Sequence, residues 1–98
     1  MDREELKARL KRFALRVITL VDHMPKTRSG NALANQIIRS GTSPYANYCA
    51  ACIGKSEKDF LNKLKMVEEE LDETAHWLEL LKIIVRSIIT IREKLNKS

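Results

Sequence analysis

The chain has few of the residues that stop a helix. It holds three Gly and two Pro in 98 residues, and residues 55–98 contain neither. Nothing in that second half is built to turn the backbone. Two cysteines three positions apart, Cys49 and Cys52, cannot staple a distant loop. The acid-led start "MDREELKARLKRF" lacks the apolar core of a signal peptide, so a reducing cytoplasm is the expected setting. No apolar run approaches the roughly 20 residues that cross a bilayer. Also missing are a Ser/His/Asp set, paired inward carboxylates, an E-x-x-H pair and a glycine-rich phosphate loop, so no enzyme is expected. Acids are scarce in the first half: residues 1–49 carry nine Lys/Arg against four Asp/Glu, whereas residues 50–98 carry nine of each. The whole net charge of +5 therefore sits in the first half, which attracts polyanions, nucleic acid first.

With 44% hydrophobic and 32% charged residues, the chain is folded rather than disordered. Its length suits a single domain over 1–98. Leu6, Leu10, Phe13, Val17, Leu20 and Met24 recur at 4-3-4-3-4, which is one apolar stripe of a first helix. Pro25 stops it. "PKTRSGN" is a loop in which Thr27 or Ser29 can cap the next helix. Leu33, Ala34, Ile37 and Ile38 open that second helix.

At "SGTSP" Gly41 can end a helical stretch in the left-handed conformation, with Thr42 or Ser43 capping a new one and Pro44 in its first turn. The second helix is thus expected to be kinked or briefly broken near 41–44 and to resume to Ile53, with Gly54 ending it. "SEKD" (56–59) reads as a capping box. From there Phe60, Leu64, Val67, Leu71, Thr74, Leu78, Leu81, Val85 and Ile88 hold a 4-3 rhythm with Thr74 the one polar member. A second stripe, Trp77, Leu80, Ile84, Ile88, Ile91 and Leu95, overlaps it, so the late chain is apolar on more than one side. "KIIVRSIITI" is rich in β-branched residues, but its apolar positions do not alternate and the helical period fits better. The predicted class is all-α: an antiparallel bundle of three long helices resembling a four-helix bundle, the third running from about 56 to 96.

"RSGTSPYANYCAACIGKSEKDFLNKLKMVEEELDETAHWLELL" (39–81) resembles the 23S rRNA intervening-sequence protein family. The pattern is R-S-x-T-S-x-x-A-N, then S-x-x-[DE]-F, then E-x-x-E-[ST]-x-x-W-L-E-L. It falls on Arg39, Ser40, Thr42, Ser43, Ala46 and Asn47, on Ser56, Asp59 and Phe60, and on Glu70, Glu73, Thr74, Trp77, Leu78, Glu79 and Leu80. "FALRVITLVDHMP" (13–25) resembles the family's first helix. The resemblance implies an antiparallel bundle, often assembled into rings, without known enzymatic activity. The chain is similar also to the accessory variability proteins of diversity-generating retroelements, whose partners are RNA and a reverse transcriptase. Two places depart from the pattern. Ala50 and Ala51 stand where members commonly carry Glu. The turn and most of the fourth helix that usually follow W-L-E-L-L are absent, and "KIIVRSIITIREKLNKS" resembles only that helix's tail.

A third helix this long overhangs the first. Leaving Ile83, Ile84, Val85, Ile88, Ile89, Ile91 and Leu95 in water would forgo roughly 10–20 kcal/mol of gross burial. The partner expected is therefore a second copy whose vacant fourth-helix position the tail fills, as in a domain swap. Trp77, Leu80, Ile84, Ile88, Ile91 and Leu95 form the expected oligomer interface. For RNA or a ribonucleoprotein partner, the candidates are Lys7, Arg9, Lys11, Arg12, Arg16, Lys26, Arg28 and Arg39. Arg9, Arg12 and Arg16 share one face at 3-4 spacing, with Lys7 and Lys11 an i, i+4 pair beside it. A row of guanidinium groups contacts successive phosphates without reading sequence. The bland alternative is a solvated face, or pairing with the five acids of "EEELDE" (68–73). No aromatic is interleaved with these cations to stack a base. Cys49 and Cys52 lie past a helix start and lack a strand setting, and His23 and His76 match no zinc spacing. The two cysteines are read as packing residues, and neither a metal nor a cofactor is expected.

Overall fold

The computed structural model describes residues 1–97, so Ser98, last of the expected 1–98 unit, lies outside the described residues. Three helices follow one another: α1 (Arg3–Asp22), α2 (Arg28–Cys52) and α3 (Glu57–Lys97). No strand occurs among the described residues, so "KIIVRSIITI" is helix. Each start carries a side-chain cap that relieves an orphan N–H. Asp2 Oδ1 accepts from the Glu5 amide at 2.7 Å, Thr27 Oγ1 from Gly30 at 3.0 Å, and Ser56 Oγ from Asp59 at 3.1 Å. α1 ends before Pro25, with the His23 and Met24 amides turning back onto Leu20 and Val21 carbonyls.

α2 is the middle helix. It packs against both α1 and α3, whose backbones do not approach each other. The two core clusters fix the directions. Leu10, Tyr48 and Val67 meet at one end, and Val17, Met24, Leu33, Ile37 and Leu81 meet at the other. Positions rise along α1 and α3 as they fall along α2, so each contact is antiparallel. Arg3 lies over the Phe60 ring, 4.3 Å from its centroid, tying the start of α1 to α3 by cation–π attraction.

The expected break at 41–44 does not occur. α2 runs through it with Pro44 buried inside, and no glycine among the described residues has positive φ. Thr42 and Ser43 do not cap a new helix. Their hydroxyls donate to the carbonyls one turn back, Ile38 at 2.6 Å and Arg39 at 2.7 Å. Gly41 is there for a different reason. A Cβ on it would stand 2.7 Å from Val17 Cγ1 and 2.8 Å from Cγ2, so the bare backbone is what lets α1 lie so close.

α3 outruns its support. Its last buried residue is Leu81, and the next sixteen, residues 82–97, include none that is buried. Forty-one residues at about 1.5 Å each give roughly 62 Å, which accounts for a molecule measuring 64 × 20 × 19 Å. The overhang foreseen from the periodicity is present, with Ile83, Ile89, Ile91 and Leu95 exposed.

Candidate nucleic-acid interface and assembly face

The eight basic candidates do not form one surface. At about 100° per residue, Arg9, Arg12 and Arg16 fall within roughly 60° on α1, and the three line one shallow groove. Lys7 and Lys11 project on the other side of the apolar stripe. Lys7 reaches toward Tyr45 of α2 and pairs with Glu4 at 3.9 Å. Arg9 pairs with Glu5 at 3.8 Å across exposed side chains, a contact worth about 0–1 kcal/mol. Lys11, Arg12, Arg16, Lys26 and Arg28 have no ion pair among the described residues. All five are exposed, the last two in the α1–α2 turn and at the start of α2.

Two residues join the arginine strip that the pattern of charges did not single out. Phe13, half-buried in the core stripe, also lines the arginine groove, so an aromatic edge does lie among these cations. His23 lines the next groove along with Arg16 and Leu20. Its Nδ1 donates to the Thr19 carbonyl at 2.8 Å, since a carbonyl only accepts. By spacing Phe13 belongs to the core stripe, and His23 matches no zinc motif. Only the helical wheel places them beside the arginines.

Arg39 stands apart from that strip. It faces α3, donating to Glu70 at 3.3 Å, to Glu73, and to Gln36 on its own helix at 3.1 Å. Trp77 Nε1 donates to the same Glu73 oxygen at 3.1 Å. Beneath this cluster the Thr74 hydroxyl donates to Ser40 Oγ at 2.8 Å, with both residues sealed from solvent. The polar exception in the α3 stripe is thus satisfied across the α2–α3 seam. Residues of the R-S and E-x-x-E-T-x-x-W patterns form a structural clasp. Within one copy the acidic run has no ion pair with α1 among the described residues: Glu70 and Glu73 take Arg39, and Asp72 lies 3.9 Å from His76.

The clasp should be acid-sensitive. The Trp77 hydrogen bond, then Arg39, hold the Glu73 carboxyl below its usual 4.5 against the opposing effect of partial burial. A depressed folded pKa stabilises the fold above the unfolded value and loses that contribution as pH falls through the folded value. Glu73→Gln is expected to be less stable than the parent at pH 7 and to lose less stability on acidification below 4.5. Thermal unfolding across that range checks it, and parallel curves for the two proteins would refute it.

The assembly candidates grade from core to solvent. Trp77 and Ile84 are half-buried against the Val17–Ile37–Leu81 cluster. Ile88 is half-exposed, while Leu80, Ile91 and Leu95 are 45%, 58% and 70% exposed. A groove holding Trp77, Leu80 and Ile83 continues into one holding Ile83, Arg86 and Ile91. Cys49 and Cys52 are free and half-buried rather than fully packed away. Interaction with Cys49, one turn on, raises the Tyr45 hydroxyl pKa, and burial followed by Cys52 raises that of Tyr48. No group of three metal-ligating side chains occurs among the described residues, and no helix there is long and apolar enough to cross a membrane.

An all-helical antiparallel bundle with this clasp matches one class of protein. The family model for the 23S rRNA-intervening sequence protein covers residues 5–95, and the chain belongs to that family. It is similar also to the crystal structure of a protein of unknown function, from the S23 ribosomal protein family, of Bacteroides thetaiotaomicron. That likeness has 39% identity and a TM-score of 0.72 over 76% of this chain and 69% of the other. No curated protein matches the chain.

Proposed function

We propose that this chain is a non-enzymatic scaffold of the cytoplasm that associates with copies of itself and binds RNA along the Arg9–Arg12–Arg16 strip. The observation that carries the RNA reading is local. Arg12 and Arg16 have no acid partner among the described residues and share one groove with Arg9 and the edge of Phe13. Unpaired guanidinium groups one turn apart suit a phosphate backbone, and Phe13 adds an apolar face for a base. The family's name, with its 23S rRNA, points the same way. Lys26 and Arg28 extend the positive field past the end of α1, whereas Arg39 is committed to Glu70 and Glu73. A ribonucleoprotein such as a reverse transcriptase complex would be met through the same strip. Self-association is supported by the exposed apolar residues of the α3 overhang.

Three phosphate contacts to single-stranded RNA imply a log–log salt slope near about −2, or about a twentyfold loss of affinity between roughly 50 and 200 mM salt. The Arg9→Glu, Arg12→Glu, Arg16→Glu triple variant should flatten that slope and weaken binding, measured by fluorescence anisotropy on labelled RNA. Absence of binding at low salt would leave a second reading, a protein-interaction scaffold. The pairing of Lys7 with Glu4, Arg9 with Glu5 and Arg39 with two glutamates favours that reading.

A further inference from the structure

We propose that the RNA strip continues past Arg16 to His23, whose imidazole holds one further phosphate only when it is protonated. This rests on the RNA reading above and gives that site a further contact and a dependence on pH. Arg9, Arg12, Arg16, Thr19 and His23 follow one another at 3-4-3-4, so one side of α1 carries them all. At about 100° per residue His23 falls inside the arc that the three arginines span, about 10 Å beyond Arg16 along the axis. Arg16 lines both grooves, the one it shares with Arg9, Arg12 and Phe13 and the one it shares with Thr19 and His23. A strand that lies on the arginines and follows the helix axis reaches the imidazole next.

The ring's own hydrogen bond decides what it offers a ligand. Nδ1 donates to the Thr19 carbonyl at 2.8 Å, which fixes the neutral tautomer with its proton on Nδ1 and a lone pair on Nε2. That lone pair repels a phosphate oxygen. Protonation turns Nε2 into a donor and adds a positive charge, so the contact changes from repulsive to charge-assisted. The position sharpens the difference. His23 caps the carboxyl end of α1, a helix with no basic residue in its last turn, and the carbonyl end of a helix favours cations over anions. Within the groove only Arg16 and the protonated ring carry charge, and its lining comes from α1 alone. Asp22 lies about 100° away around the helix. Among charged residues of the neighbouring elements, Lys26 of the turn, Arg28 of α2 and Glu79, Lys82 and Arg86 of α3 flank this end, and none of them lines the groove. His23 has no ion pair among the described residues.

The test measures binding of a labelled single-stranded oligouridylate to the full chain by fluorescence anisotropy. Its bases and phosphates keep their charge over the range in which an imidazole changes its own, between about pH 5 and 8. One more phosphate contact adds about 0.7 to the log–log salt slope on single strands. The slope should therefore steepen from about −2 at the upper pH to about −2.8 at the lower, and affinity at low salt should rise with it. His23→Gln should hold the shallower slope at both values, and His23→Lys the steeper one. His76→Gln, which alters the chain's other histidine, should respond to pH as the parent does. Circular dichroism checks that each variant keeps its helices. A slope that is the same at both pH values, or an acid response that survives His23→Gln, would overturn the His23 contact and leave the arginine strip standing. No binding at low salt at either pH would overturn both.

Discussion

Replacing Ile37 by alanine is expected to cost about 2–5 kcal/mol of folding stability, the usual range for emptying a sealed branched site. Ile37 is 0% exposed and belongs to the cluster in which Val17 and Met24 of α1 and Leu81 of α3 meet α2. No neighbouring side chain can collapse into the space without pulling a helix after it, which places the cost toward the upper part of that range. The adjacent residue supplies the control. Ile38 is 37% exposed on the outer side of the same turn, and Ile38→Ala should fall within about 0.5 kcal/mol of the parent. Denaturant unfolding at one fixed protein concentration separates the two, since association would otherwise add to apparent stability. Equal effects at both positions would mean that the three helices do not share this core.

Gly41→Ala should destabilise the protein, although alanine is the better helix former by about 1 kcal/mol. The added methyl would sit 2.7 Å from a Val17 methyl, and relieving that overlap means moving α1 off α2. Overpacking of this kind costs about 1–3 kcal/mol. The sign is the test, because glycine at an exposed mid-helix position gives the opposite result. Val17→Ala by itself also destabilises, since Val17 is buried in the core. In combination, the new methyl enters the space that Val17 vacates, so the double variant should lose less than the sum of the two single losses. An additive double variant would show that Gly41 does not serve the α1 contact.

Much of the architecture was readable from neighbours within one or two turns. The 4-3 stripes of α1 and α3, the caps at Thr27 and Ser56, the stop before Pro25 and the uninterrupted length of α3 each depend on residues a few positions apart. The exposed overhang followed from the unbroken helical period and the length it gives α3. The fate of Gly41 and Pro44 did not, since the same S-G-T-S-P string serves a helix break or a close helix contact. Only Val17, two dozen positions away, decides which. Arg39 read as one more surface cation because its acids lie 31 and 34 residues distant. Lys7 and Lys11 were grouped with the arginines by proximity in the chain, although the helical wheel already separates them.

By itself the amino-acid order determined three helices, their polarity along the chain and the surplus of apolar surface at the carboxyl end. These are settled by hydrogen bonds and periodicities that close within a turn. Tertiary structure alone decided that α2 runs unbroken beside α1, that Thr74 finds Ser40, and that Arg39 is spent on α3 while Arg12 and Arg16 stay open to solvent. Those outcomes turn on contacts between residues far apart in the chain, and the energy of such a contact exists only once the helices have met.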